Sequence, residues 1–337
     1  MLVVTGSLPP EVCGVGDYVR ALLSELNKKI DGASVFYKTD WSIRKLLPYA
    51  RLIRKSGATV VNIQYPTEGY GYSIVPQLLC FAIWPLKRVI TLHEYARKSL
   101  KGKLAIYLFF LSASWIIFTT EAERKAVCRV APWIRKRSSV IPIGSNIPMQ
   151  PEHVPEVDIV YFGQIRPQKG LEAFTSIVRS LREQKNVRVQ VIGQISPGYQ
   201  DYASAVLASI KELGIEVLLN NSSEGVSVLL SRARIALLPF PAGMSLRHGS
   251  ALAAMGNGAL LITRPSVGPP SEFSDICLTA QSTEELCQLT LHVLQNYDSY
   301  DGVRLSGQRF SMSVSWDNIS TSYLNLIAQL GASTKIP

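Results

Sequence analysis

Short apolar runs alternate with amphipathic segments along almost all of this 337-residue chain. The first run, in residues 2–7, predicts a buried strand, and residues 14–29 follow it with apolar side chains at helical spacing. Buried strands that alternate with helices are typical of a parallel sheet covered by helices on both faces. Five more strand patterns precede residue 146: 34–38, 59–66, 88–95, 115–120 and 139–145.

A proline-rich segment at residues 148–156 separates this series from a second one of the same kind. The segment holds three prolines and two glutamates, and we interpret it as a linker. The sequence therefore predicts an α/β protein with two doubly wound Rossmann-like domains, 1–150 and 151–310. We expect an interdomain cleft, a common place for a ligand. An amphipathic pattern predicts a terminal helix within 311–337.

The longest apolar segment, residues 104–118, is too short to cross a membrane. It has 15 residues, interrupted by Ser112 and Ser114, whereas a spanning helix needs about 18–20. We predict a buried helix that turns at these serines into the strand at 115–120.

The N-terminus and the cysteines of the chain indicate its cellular compartment. The N-terminus lacks the basic and apolar regions of a signal peptide. The five cysteines are widely spaced without a CxxC motif, so we expect reduced thiols, no zinc site and a cytoplasmic protein.

The net charge of +10 is unevenly distributed. Residues 1–150 contain 21 Lys and Arg against 9 Asp and Glu, whereas the remainder contains 14 against 16. The main basic clusters are residues 51–55, 97–103 and 133–137. This excess suits an anionic membrane surface or an anionic acceptor; a solvated basic face is the alternative. Nucleic acid is disfavoured, because the clusters lack interleaved aromatic residues and a recognised binding motif.

Residues 239–264 predict a strand, a tight loop, a helix from Ser245 and another strand. A loop at the carboxyl end of a parallel strand is where α/β sheets bind ligands, and a helix N-terminus suits a phosphate. Further donors are available there from Arg247, His248 and Ser250. The alternative is an ordinary core helix with an exposed Arg and His.

Two other loops have similar positions. Gly14 and Gly16, followed by Asp17, lie between the first strand and helix and allow close backbone approach. They do not form a GxGxxG fingerprint, so a dinucleotide is disfavoured. Arg166 and Lys169 follow a strand in residues 161–174 and suit a diphosphate, or else form a basic surface turn.

His93 lies in the sequence TLHEY, at the carboxyl end of a predicted strand. A lone histidine in a strand is usually structural. Its place at the strand end favours a role in a ligand site.

Taken together, these segments resemble the GT-B glycosyltransferases, in particular the retaining, sugar-nucleotide-dependent family 4. Each match is weak alone, but five occur in the order expected of the family. They are GVGDY, TLHEY, VIPIGSNI, YFGQIRPQKGLE and SVSWDNISTSYLNL.

The resemblance implies transfer of a sugar from a nucleotide diphosphate sugar to a hydroxyl acceptor, in polysaccharide or glycolipid assembly. It implies retention of configuration and a terminal helix that crosses back to the first domain. No metal or other cofactor is required, because cations and backbone amides can stabilise the diphosphate. The basic half suits a lipid-linked acceptor and a peripheral position at the inner face of a membrane. The implied catalytic residues are His93, Arg166 and Lys169, and the implied substrate-binding residues are Gly14, Gly16, Asp17, Arg247, His248, Gly249 and Ser250.

The sequence also departs from the family pattern. The two acidic residues of the Glu-x7-Glu motif would fall on Ser245 and Ala253, and neither is acidic. Gln164 replaces the arginine of the Gly-Arg loop, where Arg166 can supply the charge, while Lys169 is retained. The alternative function is therefore a non-catalytic GT-B binding or scaffold protein. A nucleic-acid-binding protein, the third hypothesis, depends on charge alone.

Overall fold

The computed structural model describes residues 1–11, 13–96, 98–265 and 273–332. The chain divides into two compact units, one formed by residues 1–143 with the segment from Trp316 onward, and one by Gly144–Ser315. Each unit has its own six-stranded sheet with helices packed on it. The predicted pair of doubly wound α/β domains is confirmed.

All paired strands of the first sheet are parallel, in the order β2-β1-β3-β4-β5-β6. The connecting helices follow the strands in the order predicted from the periodicity. The strands are β1 (Leu2–Thr5), β2 (Ser34–Tyr37), β3 (Val60–Tyr65), β4 (Lys87–Leu92), β5 (Trp115–Phe118) and β6 (Ser138–Val140), and the helices are α1 (Gly14–Lys29), α2 (Leu46–Lys55), α3 (Val75–Ala82), α4 (Leu100–Ser112) and α5 (Glu121–Val130).

The second sheet is also parallel, in the order β12-β11-β10-β7-β8-β9. Its strands are β7 (Val157–Ile165), β8 (Val189–Ile195), β9 (Glu216–Leu219), β10 (Ala233–Leu238), β11 (Leu260–Thr263) and β12 (Leu278–Thr279). Its helices are α6 (Leu171–Arg182), α7 (Gln200–Glu212), α8 (Ser223–Ser231), α9 (Gly249–Gly256), α10 (Thr283–Gln295) and α11 (Asp301–Ser313).

The last helix, α12 (Trp316–Ala332), packs on α1 and so belongs to the first unit. It contributes Ile319, Tyr323, Leu326 and Leu330 to a core shared with α1. Because these residues are three or four positions apart, they lie on one side of the helix.

The first sheet has a different core on each face, as the alternation of side chains in a strand requires. Val61 and Ile63 of β3 pack with α2, α3 and α4, whereas Val60 packs with α1 and α12. In β5, Phe118 belongs to the first of these cores and Ile117 to the second.

The unit boundaries differ from the expected domain limits. The second unit begins at Gly144, before the predicted linker, which packs against that unit. Asn257 accepts a hydrogen bond from the Gln150 amide at 2.9 Å and donates one to the Pro148 carbonyl at 3.1 Å. The terminal segment begins at Trp316 rather than at residue 311, because α11 continues to Ser313.

Parts of three predictions lie outside the described residues. They are Val12 of the first loop, Arg97 of the basic cluster at 97–103, and residues 333–337. Within the described part of the chain, every helix falls short of the length and apolar character that crossing a bilayer demands. The segment at 104–118 forms most of α4 and then β5, as predicted.

Candidate functional site

The second unit has a topological switch point between β7 and β10. These strands are neighbours, but the chain proceeds from β7 toward β8 on one side and from β10 toward β11 on the other. The loops that follow them therefore diverge at the carboxyl edge of the sheet, where open α/β sheets bind ligands.

Gly170 brings these two loops into close contact. It has a φ of +83° and immediately precedes α6. A Cβ atom at this position would lie 2.3 Å from the carbonyl oxygen of Pro239, in the loop after β10. Only glycine permits this approach, so the residue type at position 170 sets the spacing of the two loops.

Arg166 and Lys169 lie on the β7 loop, and both are half-buried. The Arg166 Nε donates to Gln164 Oε1 at 3.3 Å, and the carbonyl of Lys169 accepts from the hydroxyl of buried Tyr161 at 3.1 Å. Burial, together with the charge of Arg166, holds the pKa of Lys169 below its ordinary value. The charge of a bound anion would offset both effects, so the loop is suited to a phosphate group.

The predicted helix start at Ser245 is wrong, because residues 245–248 form a turn and α9 begins at Gly249. The His248 amide donates to the Ser245 carbonyl at 2.9 Å, and the Ser245 amide donates to His248 Nδ1 at 3.2 Å. The Arg247 amide donates to Ser245 Oγ at 3.3 Å. Local bonds of this kind compete with a helix. The His248 ring also stacks on Phe240, with ring centroids 3.9 Å apart.

These bonds define the chemistry of the turn. Since His248 Nδ1 accepts a hydrogen bond, the neutral ring carries its proton on Nε2. Gly249 and Ser250 occupy the first turn of α9, where backbone N–H groups have no partner within the helix. Ala253, three residues further on, is 1% exposed and packs in the core.

In the first unit, β4 ends at Leu92 and His93 follows it directly. The His93 amide donates to the Tyr65 carbonyl at 2.8 Å, which continues the pairing of β4 with β3. The imidazole is buried, with Nε2 lying 2.8 Å from Gln64 Oε1. Its ring also meets the Tyr18 ring edge-on, with 4.9 Å between centroids.

A buried polar network extends from His93 beneath α1 and α12. The Gln64 amide donates to Asn62 and Thr91, and Asn62 Nδ2 lies 2.9 Å from Thr91 Oγ1. Thr91 Oγ1 is 2.7 Å from the Tyr323 hydroxyl, which in turn is 3.0 Å from the Tyr18 hydroxyl. None of these network residues was among the site residues predicted from the sequence. Their signal was polar side chains at alternate positions of otherwise apolar strands.

Gly14, Gly16 and Asp17 lie in the first turn of α1, at the carboxyl edge of the first sheet. A Cβ at Gly16 would lie 3.1 Å from the Ser7 carbonyl, so this glycine lets α1 pack on the loop after β1. Asp17 lies 3.2 Å from Arg20, and burial raises the pKa of its carboxyl despite that charge. Through Tyr18, the same turn comes close to His93.

The structure thus assigns the predicted residues to two regions, each within one unit. Arg166, Lys169 and the turn at 245–250 share the carboxyl edge of the second sheet. His93 and the start of α1 share the carboxyl edge of the first. In the residues that the structure describes, no group of three His, Cys, Asp or Glu is arranged to hold a metal ion.

Two Rossmann-like units with a terminal helix on the first define the GT-B fold, and comparison with solved structures confirms it. The chain is similar to HepE of Anabaena, solved with UDP and glucose, at a TM-score of 0.73 and 14% identity, over 97% of this chain and 99% of that one. It is similar to a glycosyltransferase from Rickettsia africae at a TM-score of 0.75 and 13% identity, over 96% of this chain and 97% of that one. It is similar to sucrose-phosphate synthase from Thermosynechococcus elongatus at a TM-score of 0.68 and 16% identity, over 98% of this chain and 99% of that one. No protein-family model and no curated protein matches the sequence.

Proposed function

We propose that the chain is a glycosyltransferase that moves a sugar from a nucleotide diphosphate sugar to a hydroxyl acceptor. The observation that carries this proposal is the pair of half-buried cations, Arg166 and Lys169, on a loop at the switch point of the second sheet. The fold is consistent with it, since HepE was solved with UDP-glucose as well as with UDP.

Departure of the diphosphate needs positive charge placed in advance, because negative charge develops on the leaving phosphate. Arg166 and Lys169 would supply this charge from the β7 loop. The N–H groups of Gly249 and Ser250 would add donors at the start of α9. Arg247 and His248 are the proposed contacts to the donor from the adjoining turn.

The first unit would supply the acceptor side and His93. The Gln64 amide nitrogen donates to Asn62 and Thr91, so the Gln64 side-chain oxygen faces His93 and requires a proton on His93 Nε2. By resemblance, His93 would contact the donor sugar and the product would retain its configuration. The acceptor would bind near Gly14, Gly16 and Asp17.

The basic excess of residues 1–150 leads us to extend this proposal to a lipid-linked acceptor. The chain would then act as a peripheral protein at the inner face of a membrane, in polysaccharide or glycolipid assembly. Long-range attraction of a basic surface to anionic lipid supports this extension.

A non-catalytic binding protein is the second candidate, and one observation favours it. The two acidic positions of the family motif are occupied by Ser245, in a turn, and Ala253, in the core, so neither position has a carboxylate. The protein would then bind a nucleotide sugar without transferring the sugar.

Calorimetric titration with a panel of uridine, guanosine and adenosine diphosphate sugars tests the proposal. Replacement of Lys169 by alanine should weaken binding by about 1–3 kcal/mol, the range for a lost hydrogen bond to a charged group. The Lys211→Ala variant, on exposed α7 surface of the same unit, is the matched control. Equal affinities in wild type and Lys169→Ala would contradict the assignment of this loop. Binding without hydrolysis of any sugar nucleotide, and without transfer to an acceptor, would favour the second candidate.

A further inference from the structure

Exposed apolar side chains are concentrated on one layer of the first unit. Of the 18 large apolar side chains exposed in the described residues, 12 lie between Ile43 and Trp133. These residues belong to the helices and turns on the α2, α3 and α4 side of the first sheet, opposite α1 and α12. Exposed apolar surface that is concentrated in this way marks contact with a partner.

Helix α4 has apolar residues both on the side that packs on the sheet and on its outer side. Ile106 and Phe109 are fully buried against the sheet, whereas Leu100, Leu104 and Leu111 are 75%, 64% and 56% exposed. At about 100° per residue, these three leucines point within about 40° of one another. They form one stripe along the outer side of α4. An apolar stripe on the outer side of a helix whose inner side is also apolar is suited to contact with a partner.

Aromatic residues extend this surface beyond α4. Trp133 is 43% exposed, and its ring meets that of Tyr107 edge-on with 5.9 Å between centroids. Trp84, just after α3, is 65% exposed, and its carbonyl accepts a hydrogen bond from Arg54 of α2 at 3.1 Å. Because α2 packs on α3 and α3 on α4, these side chains belong to one layer.

Cations flank the apolar residues of the layer. Residues 41–120 contain 11 Lys and Arg against 2 Glu. Exposed cations include Arg51 on α2, Lys101 on α4 and Lys136, close in sequence to Trp133. A second copy would bring two positive layers together, and nucleic acid would leave the leucine stripe in water. Leucine, tryptophan and cations on one surface suit the headgroup boundary of an anionic lipid bilayer.

We infer that the outer sides of α2 and α4, together with Trp84 and Trp133, bind the surface of an anionic lipid bilayer. The leucines of α4 enter the boundary between headgroups and acyl chains, while the cations meet the lipid phosphates. The inference rests on the membrane-surface part of the proposed function and deepens it, because it names the binding surface and the partner.

Sedimentation with vesicles tests the apolar part of this surface. Wild type should sediment with vesicles that contain phosphatidylglycerol and stay in solution with pure phosphatidylcholine. The double variant Leu104→Gln and Leu111→Gln should bind at least about tenfold more weakly, since two apolar side chains lose their lipid contact. Met312→Gln, on a 54% exposed residue of the second unit, should bind like wild type. Thermal unfolding of each variant checks that the exposed substitutions leave the fold intact.

A second variant tests the charge. Arg51→Gln with Lys101→Gln should lower binding at low salt by about fivefold per cation, and Lys211→Gln should not. Equal sedimentation with neutral and anionic vesicles would overturn the inference, as would wild-type binding by the leucine variant. A dimer that the leucine variant abolishes would assign the surface to a second copy instead.

Calorimetry with sugar nucleotides on the same samples separates the two proposals. If wild type binds a sugar nucleotide but no vesicle, the membrane inference is wrong and the glycosyltransferase proposal stands. If wild type binds vesicles but no sugar nucleotide, the glycosyltransferase proposal is wrong and the membrane inference stands.

Discussion

Lys169 is a cation in surroundings that disfavour its charge. Burial is the larger cause of its lowered pKa, and the neighbouring Arg166 adds to it. The loop is held in place because the Tyr161 hydroxyl bonds to the Lys169 carbonyl at 3.1 Å. The positive charge of Lys169 is therefore unfavourable in the free protein, and an anionic ligand would offset this loss of free energy.

This lowered pKa predicts a pH dependence of nucleotide binding. A bound diphosphate raises the pKa of Lys169, so binding favours the protonated amine. The affinity should be highest below the pKa that Lys169 has in the free protein, and it should fall by up to about tenfold per pH unit above that pKa. The decline should begin at lower pH than for an ordinary lysine. Calorimetry of a sugar nucleotide across this range measures it.

The Lys169→Arg variant is the control for that prediction. Arginine stays charged throughout, so the part of the decline due to this residue should disappear. Titration of the nucleotide base is common to both proteins. Identical pH profiles would show that another group is responsible.

At the scale of elements, the start of α6 depends on how closely two loops approach. Gly170 combines a left-handed φ with the short distance to the Pro239 carbonyl. Gly198, before α7, has a nearly equal φ of +80° but nothing within 4 Å of the position of a Cβ. The two glycines differ mainly in the space around them.

Alanine at positions 170 and 198 should therefore lower the free energy of unfolding by different amounts. Gly198→Ala should lower it by about 1–2 kcal/mol, the penalty for alanine in a left-handed conformation. Gly170→Ala should cost about 1–3 kcal/mol more, because the methyl group meets a backbone carbonyl. Urea denaturation measures both. Equal losses would mean that the loop after β10 moves away from the new methyl group at no cost in stability.

At the scale of the whole molecule, the last helix completes the first unit. α12 follows the entire second unit in sequence, yet it packs on α1. Its Tyr323 hydroxyl joins Thr91 of β4 to Tyr18 of α1, at 2.7 and 3.0 Å. The two ends of the chain are therefore tied through buried hydrogen bonds.

Removal of this hydroxyl should loosen the first unit. In Tyr323→Phe, the ring keeps its packing, but Thr91 and Tyr18 each lose a buried partner. We expect a loss of about 1–3 kcal/mol and faster hydrogen exchange in α1 and β4. Ser322→Ala removes an exposed hydroxyl from the same helix and should change little. Unchanged exchange in Tyr323→Phe would show that water or a shift of side chains satisfies the network.

The sequence by itself determined the elements of this protein. Local periodicity predicted the bounds of α1 at 14–29, and the serines that interrupt the apolar run predicted the turn from α4 into β5. Such features depend on neighbours within about one or two helical turns, so composition and spacing encode them. The same reasoning placed His93, Arg166 and Lys169 at strand ends, because strand ends are also local features.

Only the tertiary structure decided which of these features meet. The neighbouring loops after β7 and β10 belong to strands separated by three intervening helices and two strands, and sheet order is set by long-range packing. The partners of His93 come from β3, and through the network from α1 and α12, because alternate residues of adjacent strands share one face. The turn at Ser245 replaced the expected first turn of α9, since local hydrogen bonds to His248 satisfied its backbone instead. The exposed leucine stripe of α4 was equally hidden in the sequence, because an apolar run does not reveal which of its sides the fold covers.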